Sequence, residues 1–298
     1  MAYKDALGDR MKEYEGAEAG RRLPTHLPVC VRIDGKRFSK FTQGLHRPFD
    51  ERLSRLMVAT TRHLMVESGA LAGYTQSDEI SLLFAPTAPN SEAYLDNRAQ
   101  KLCSILASMA TAYFNAHLGA AIPEKAGALA MFDCRAWSVP SEEEAANVFL
   151  WRELDATKNS VSMAARAYYG HGELHNKDAH EMREMLLKKG VDWHDYPAFF
   201  KRGTFLLRRS VTRRFSAEEL EALPPKHAAR RDPDLLVTRT LVEPTSVPPF
   251  TRVRNRAGVL FRGEEPELKA AEHGTIYDQG EDQGEDQGGD QLVEQGGP

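Results

Sequence analysis

The sequence predicts an α+β fold whose core is a palm-like (ferredoxin-like) antiparallel sheet with the element order β-α-β-β-α-β. Two observations support this fold class: short strand-like stretches occur four times before residue 140, and two longer amphipathic, helix-like stretches separate them. The composition agrees, because 298 residues with 41% hydrophobic side chains can bury a core without disulfides or structural metals.

The first strand and first helix are the clearest elements. Residues 27–33 alternate apolar and polar side chains, which predicts a strand that ends at a turn formed by Asp34 and Gly35. From about 50 to 68, apolar residues recur at spacings of three and four, which predicts an amphipathic helix that ends at Gly69.

The remaining elements of the core follow in order. Residues 71–84 predict two short strands joined by a tight hairpin at Gln76–Glu79. A long helix is expected over about 91–118, and residues 127–139 predict the fourth strand.

The C-terminal part changes character. A helix is expected to begin after Ser141, helical pattern continues to about Lys189, and residues 201–262 suggest β-hairpins with proline-rich joints. We therefore divide the chain into a palm-like catalytic domain (1–140), a helical and β-hairpin region that completes the RNA and nucleotide sites (141–262), and a linker with a disordered acidic tail (263–298).

Charge is distributed unevenly. The formal net charge is −4, but residues 278–298 contain seven acidic residues and no lysine or arginine. The rest of the chain has 39 basic and 36 acidic residues, a formal charge of +3. The acidity therefore belongs to the tail and does not exclude a nucleic-acid partner.

Three scattered cysteines and the hydropathy pattern bear on location. The odd number of cysteines and the lack of a CxxC pair favour free thiols in a reducing compartment. No apolar run approaches the roughly 20 residues needed to span a bilayer, and the N-terminus lacks a secretory apolar segment. We expect a cytoplasmic protein with no membrane partner.

Acidic residues at two strand ends are the most informative feature. Asp34 ends the first strand, whereas Asp78 and Glu79 lie in the hairpin that this topology places beside it. Short carboxylates at strand ends are the oxygen ligands that Mg²⁺ takes together with substrate phosphates. The alternative is that both sequences serve only as turns, since Asp-Gly and Ser-Asp are common turn dipeptides.

A basic loop follows Asp34. Lys36, Arg37 and Lys40 are suited to neutralise a triphosphate, Gly35 allows close approach of the backbone, and Phe38 offers an apolar face. A solvated basic turn is the alternative. A P-loop motif is absent from the sequence.

A second basic segment lies at Lys201–Ser216, where alternation along a strand would produce a basic stripe that suits RNA phosphates. A solvated basic face is the alternative. The stripe has six members: Lys201, Arg202, Arg208, Arg209, Arg213 and Arg214.

Four segments together resemble the tRNA(His) guanylyltransferase superfamily, whose members add nucleotides to RNA 5′ ends in the 3′-to-5′ direction. RIDGKRF (32–38) and YTQSDEISLLF (74–84) resemble its two signature segments. FDCR (132–135) resembles its F-D-x-R strand and FKRGT (200–204) a later segment. The resemblance extends from about Tyr3 to Arg262.

The resemblance implies roles for individual residues. Asp34, Asp78 and Glu79 would be catalytic, with Asp34, the Gly35 carbonyl and Asp78 holding two Mg²⁺ ions. Asn159 and Lys177 match a second nucleotide or activated 5′-phosphate site. The first nucleoside triphosphate would contact Asp34, Gly35, Lys36, Arg37, Phe38, Ser39, Ser77 and Asp78, and RNA would contact Lys201, Arg202, Arg208 and Arg209.

One motif departs from the eukaryotic pattern. A His-Ile-Asn-Asn stretch is expected after the F-D-x-R strand, but Thr157–Ser160 reads TKNS and keeps only Asn159. This resembles the Thg-one-like branch, which implies templated repair of 5′-truncated tRNA with ATP and GTP as substrates. The family also implies a homo-oligomer, a dimer or a tetramer. A palm-fold nucleotide cyclase and a non-catalytic RNA-binding module are the alternatives.

Overall fold

A computed structural model describes residues 6–88, 91–232 and 234–270. The predicted disordered tail at 271–298 lies outside the described residues. The strands are β1 (Val29–Gly35), β2 (Ala72–Gln76), β3 (Glu79–Phe84), β4 (Phe132–Ser138), β5 (Thr204–Arg214) and β6 (Leu236–Thr245). The helices are α1 (Ala6–Ala19), α2 (Phe38–Phe41), α3 (Glu51–Ser68), α4 (Ala99–Ala121), α5 (Glu142–Ala165), α6 (His171–Leu174), α7 (Ala179–Lys188), α8 (Ala198–Arg202), α9 (Ala217–Ala222) and α10 (Arg256–Arg262).

The six strands form one antiparallel sheet in the order β4-β1-β3-β2-β5-β6. The first four follow the chain as β-α-β-β-α-β, so the predicted α+β class and element order are confirmed. β5 and β6 extend the sheet beyond β2. Strands from both sides of the predicted boundary at residue 140 therefore share one sheet, and the described residues up to Leu268 form one compact unit.

Helices cover both faces of the sheet. α3 and α4 pack on one face around a cluster that includes Ile33, Leu64 and Phe114. α5 and α10 cover the other face, where Phe149 and Phe205 are buried. This three-layer arrangement leaves the ends of β1, β2 and β3 as an edge on which side chains can converge.

Helix α3 confirms the predicted helix at 50–68. The Asp50 carboxylate accepts a hydrogen bond from the backbone N–H of Arg52 at 3.0 Å, which satisfies one free donor of the first turn. Gly69 ends the helix in the left-handed region, with φ of +75°. The buried face includes Met57 and Leu64 at the three-and-four spacing.

Two predicted elements are wrong in part. The helix expected from residue 91 begins only at Ala99, because Leu95, Asp96 and Asn97 all have positive φ and form a separate short turn. Part of the segment 201–262, which was expected to form β-hairpins, is instead helix α10, whose Val259 and Leu260 are both buried. Consecutive apolar residues fit either a buried strand or a short helix, so the pattern did not decide between them.

None of the described helices is long and apolar enough to cross a membrane.

Candidate active site

The sheet register brings the predicted acidic residues to one edge. Asp34 on β1 lies opposite Glu79 on β3. Gln76 pairs with Glu79, so Ser77 and Asp78 form a two-residue hairpin loop. Ser77 has a φ of +53°, which a tight hairpin requires at this position. The predicted hairpin and its position beside the first strand are confirmed.

Gly35 allows β1 and the hairpin to approach each other closely. A Cβ atom on Gly35 would clash with the Phe38 ring and would lie 2.8 Å from Oδ2 and 2.9 Å from Cβ of Asp78. These separations are shorter than non-bonded atoms tolerate, so any other residue at position 35 would displace the Phe38 ring, the Asp78 side chain or both. The backbone of Gly35 therefore lies directly against Asp78.

Asp34 and Asp78 form a pair of carboxylates without a cation of their own. Neither forms an ion pair within the described part of the chain. Burial, followed by the negative charge of Asp34, raises the pKa of Asp78 to about 6. Burial, followed by the negative charge of Asp133, also raises the pKa of Asp34. Their ionised forms are therefore costly until a cation arrives.

Glu79 has the opposite environment. The guanidinium of Arg152 on α5 donates two hydrogen bonds to the Glu79 carboxylate, from Nε to Oε1 at 2.6 Å and from Nη2 to Oε2 at 2.8 Å. Arg152 is 7% exposed and also donates to Asp155 at 2.7 Å. Although burial raises the pKa of Glu79, Arg152 opposes that shift. Glu79 is therefore positioned to tie the hairpin to α5.

These residues line a cavity of about 360 Å³, which we term the carboxylate cleft. Strand ends form one wall and the inward side of α5 the other. Asn159 lies on the α5 wall, and its side-chain amide donates to Asp155 at 3.3 Å. The lining comprises Asp34, Gln76, Ser77, Asp78, Glu79, Arg152, Asp155, Asn159, Ser162, Met163 and Arg166.

The loop after β1 is anchored by its aromatic residue. Lys36, Arg37 and Ser39 are exposed beside Asp34, as expected of a loop that meets an anion. The Phe38 ring is 4% exposed and packs on Phe41, with ring centroids 4.7 Å apart. The expectation that Phe38 offers an apolar face to a ligand is therefore wrong, because its ring belongs to the core.

Lys177 does not join the carboxylate cleft. Its ammonium group pairs with Glu181 at 2.6 Å on the exposed start of α7. The resemblance implied that Lys177 lies at a second nucleotide or activated 5′-phosphate site. Besides Asn159, α5 contributes the charged residues Arg152 and Asp155 to the cleft. These two were missed, since Arg152 lies 73 positions from Glu79 and no local motif connects them.

The predicted basic stripe does not form a single surface. Arg208 crosses to α3 and donates to the carbonyls of Ala70 at 2.8 Å and Met65 at 2.6 Å. Arg209 is exposed on the opposite side of the strand and lies 3.6 Å from Glu265. Two other members belong to α8: Lys201 donates to the carbonyl of His194, and Nη1 of Arg202 is buried without a hydrogen bond.

The carboxylate pair has the donor chemistry of a magnesium site. The described residues contain no group of three or more Asp, Glu, His or Cys side chains close enough to hold a metal. Mg²⁺, however, is usually held by one or two protein carboxylates, and water and substrate phosphates complete its coordination. Asp34, Asp78 and the Gly35 carbonyl fit that description.

Two aspartates at adjoining ends of an antiparallel sheet, next to an exposed basic loop, are typical of metal-dependent enzymes that transfer nucleotidyl groups. Similarity to known proteins identifies the family within this class of enzymes. Residues 8–140 match the family described as tRNAHis guanylyltransferase. The tRNA(His) guanylyltransferase of Neurospora crassa is 30% identical over 217 residues, 65% of this chain and 73% of that protein.

Solved structures agree. A bacterial tRNA(His) guanylyltransferase (Thg1)-like protein in complex with ATP is 36% identical, with a TM-score of 0.66 over 80% of this chain and 91% of that one. Such a protein in complex with GTP is 34% identical, with a TM-score of 0.63 over 83% and 94%. The chain therefore belongs to the tRNAHis guanylyltransferase family, and it is an enzyme of the guanylyltransferase type.

Proposed function

We propose that the protein adds nucleotides in the 3′-to-5′ direction to the 5′ end of tRNA, and that its main task is templated repair of 5′-truncated tRNA. The observation that carries the proposal is the Asp34–Asp78 pair, which lies partly buried at the strand ends and forms no ion pair within the described residues. A palm-like sheet presents such a pair to the phosphates of a nucleoside triphosphate. Membership of the family supplies RNA as the second substrate.

The residues of the carboxylate cleft have distinct tasks in this reaction. Asp34 and Asp78 would hold two Mg²⁺ ions, which when bound stabilise charge on the phosphates and lower the pKa of the attacking hydroxyl. Lys36, Arg37 and the exposed hydroxyl of Ser39 orient the triphosphate, with ATP or GTP as the substrate. Glu79, fixed by Arg152, keeps the hairpin in place.

The chemistry takes place in two transfers. The RNA 5′-phosphate attacks the α-phosphate of ATP, pyrophosphate leaves, and an adenylylated 5′ end forms. The 3′-hydroxyl of the incoming nucleotide then attacks that 5′-phosphate and AMP leaves. Asn159, on the α5 wall across from the aspartates, is placed to orient the activated 5′ end.

The TKNS segment supports repair over obligatory addition of guanosine to tRNA(His). Thr157 occupies the place of the family's histidine, and Ser160 replaces the second asparagine. Ser160 is fully buried and accepts a hydrogen bond from Nε1 of Trp193 at 3.1 Å. Only Asn159 of this segment reaches the carboxylate cleft, which fits a site that does not select one tRNA.

Incubation with 5′-monophosphorylated tRNAs that lack one 5′ nucleotide, with ATP, each NTP in turn and Mg²⁺, tests the proposal. Asp34→Ala and Asp78→Ala should abolish incorporation, whereas Asp234→Ala, an exposed aspartate on the β5–β6 connection, should retain it. Incorporation should follow the base opposite the missing nucleotide. Normal incorporation by either cleft variant would contradict the proposal, and addition of G regardless of the opposing base would exclude templated repair.

The same assay separates the other candidate functions. Cyclic nucleotide formed without RNA would favour a cyclase, and RNA binding without turnover would favour a non-catalytic module. We also propose RNA contacts for Lys201, Arg202 and Arg209, and for Arg208 only through its strand, because its guanidinium is committed to α3. Assembly as a dimer or tetramer is part of the proposal, and sedimentation measures it.

A further inference from the structure

A second cavity lies next to the carboxylate cleft. It has a volume of about 440 Å³ and lies between the loop before α3, the end of α5 and the short helix α6. Arg166 lines both cavities. A ligand in the carboxylate cleft therefore needs to extend past only one side chain to enter the second cavity, which we call the anion pocket.

The anion pocket is lined by cationic and neutral side chains alone. Arg47, Arg166, His171 and His175 provide its basic groups, Tyr169 and Asn176 provide neutral polar groups, and the lining contains no aspartate or glutamate. Neither Arg47 nor Arg166 forms an ion pair within residues 6–88, 91–232 and 234–270. The carboxylate of Glu173, on α6, accepts a hydrogen bond from the backbone N–H of Gly170 at 2.8 Å.

The arginines of β5 differ from those of the anion pocket. Three of them each lie within 4 Å of a carboxylate, and Arg208 donates to two carbonyls. Arg47 and Arg166 are exposed, form no ion pair among the described residues, and line a cavity next to the carboxylate cleft. Free guanidinium groups with histidines around a cavity suit an anion with several oxygen acceptors.

The position of the anion pocket selects among phosphate ligands. The exposed loop beside Asp34 already supplies Lys36 and Arg37 for the triphosphate of the nucleotide. The anion pocket adjoins the cleft at Arg166, directly after the end of α5, the helix that carries Asn159. A ligand that reaches it must continue from the group bound in the cleft, as an RNA strand continues from its 5′ end.

We propose that the anion pocket binds a backbone phosphate of the RNA strand whose 5′ end lies in the carboxylate cleft. The inference rests on the proposed function and adds to it the path of the RNA. Such a contact is independent of base identity, so it would hold any tRNA 5′ end in register. This matches an enzyme that does not select a single tRNA.

Equilibrium binding of a 5′-monophosphorylated tRNA lacking one nucleotide, in EDTA and without NTP, tests the inference. Arg47→Gln should weaken binding about tenfold, since one charged contact is lost. It should also reduce the slope of log K against log salt by about 0.7 to 0.9. Affinity for GTP, measured separately with Mg²⁺, should stay at the wild-type value. His175→Gln should weaken RNA binding in the same assay.

Arg254→Gln is the matched control, because Arg254 is an exposed arginine on a different surface, paired with Glu267. It should change neither the affinity nor the salt slope. Wild-type RNA affinity and salt slope in both anion-pocket variants would overturn the inference. Weakened GTP binding with unchanged RNA binding would also overturn it and would assign the pocket to the phosphates of a free nucleotide.

The two proposals fail separately. If wild-type protein extends the tRNA while Arg47→Gln and His175→Gln bind it normally, only the anion pocket is refuted. If wild-type protein adds no nucleotide, the proposed function is refuted whatever the variants bind. Melting temperatures equal to the wild type would establish that the exposed substitutions leave the fold intact.

Discussion

The acidic residues of the carboxylate cleft have two contrasting environments. Glu79, at the start of β3, is neutralised by the buried guanidinium of Arg152, which reaches it from α5. Asp34 and Asp78 lie beside it, and neither forms an ion pair within the described residues. A carboxylate that the chain itself neutralises, such as Glu79, holds the site together. The carboxylates of Asp34 and Asp78, which have no such partner, are available to a ligand.

The same contrast separates the two basic regions. The arginines of β5 are engaged by carboxylates or by the last carbonyls of α3, so they stabilise the hairpin and its packing. Arg47 and Arg166 have no partner of this kind within the described residues. The anion pocket is distinguished by unpaired arginines that line one cavity together with histidines and without a carboxylate.

Opposite effects on stability at two adjacent positions would test the first contrast. Glu79→Gln should lower the free energy of unfolding by about 3 kcal/mol, since Arg152 is left buried with one carboxylate partner fewer. Asp78→Asn should instead raise the free energy of unfolding in metal-free buffer above about pH 6. The pKa of Asp78 is about 6 in the folded state, so above that pH the wild-type protein carries a poorly solvated charge that asparagine lacks. Urea denaturation at pH 8 measures both.

A double-mutant cycle provides the control. The cycle compares Glu79→Leu, Arg152→Met and the double variant that carries both changes. The double variant should recover most of the stability that each single variant loses, because apolar side chains of similar size need no partner. If Glu79→Gln and Asp78→Asn change the free energy of unfolding in the same direction, the distinction between a paired Glu79 and an unpaired Asp78 is incorrect.

A buried glutamate on α5 should give the wild-type protein a pH-dependent stability. Burial raises the pKa of Glu153 from 4.5 to about 7, although the backbone N–H of Phe250 donates to it at 2.6 Å. The folded state thus retains a proton that the unfolded state releases, and stability falls as pH rises from about 4.5 through 7. Glu153→Gln should be more stable than wild type at pH 8, by about 2 kcal/mol.

That difference should disappear at pH 4, where Glu153 is protonated in both states and resembles glutamine. Thermal melts from pH 4 to pH 8 would follow it. A gap that stays constant with pH would show that the glutamine acts through packing and not through the lost charge.

Arg208 and Arg209 give the smallest effect and sharpen the second contrast. Arg208→Met should cost about 1.5 kcal/mol of stability, because the carbonyls of Met65 and Ala70 lose a charged donor. Arg209→Met should leave stability nearly unchanged, since its pairing with Glu265 is exposed. Urea denaturation compares the two, and equal losses would contradict the assignment of only Arg208 to α3.

Local patterns predicted the parts of the fold that local forces determine. Alternation gave β1, three-and-four spacing gave α3, and the polar tetrad gave the hairpin that positions Asp78. The break at Leu95–Asn97 was not predictable, because left-handed backbone at a leucine is set by what surrounds it and not by its own preference. The β-hairpins expected over 201–262 were wrong at α10, because the apolar residues Val259 and Leu260 suit both a strand and a short helix.

The candidate site was predictable to the same degree. Asp34 and Asp78 follow from strand ends and a family resemblance, and their proximity from the expected topology. No local sequence motif predicts the ion pair that holds Glu79, because Arg152 reaches it from another layer of the fold. Long-range pairing and side-chain direction decided that contact, and they also put the Phe38 ring in the core.

The hydrogen atom that serves as the side chain of Gly35 has a consequence for engineering. A methyl group there would clash with the buried Phe38 ring and would meet the Asp78 carboxylate at 2.8 Å. An alanine at this position would therefore displace the Phe38 ring, the Asp78 side chain or both, without removing either carboxylate. Position 35 thus couples the packing of a core ring to the placement of two charges, although it carries no charge itself.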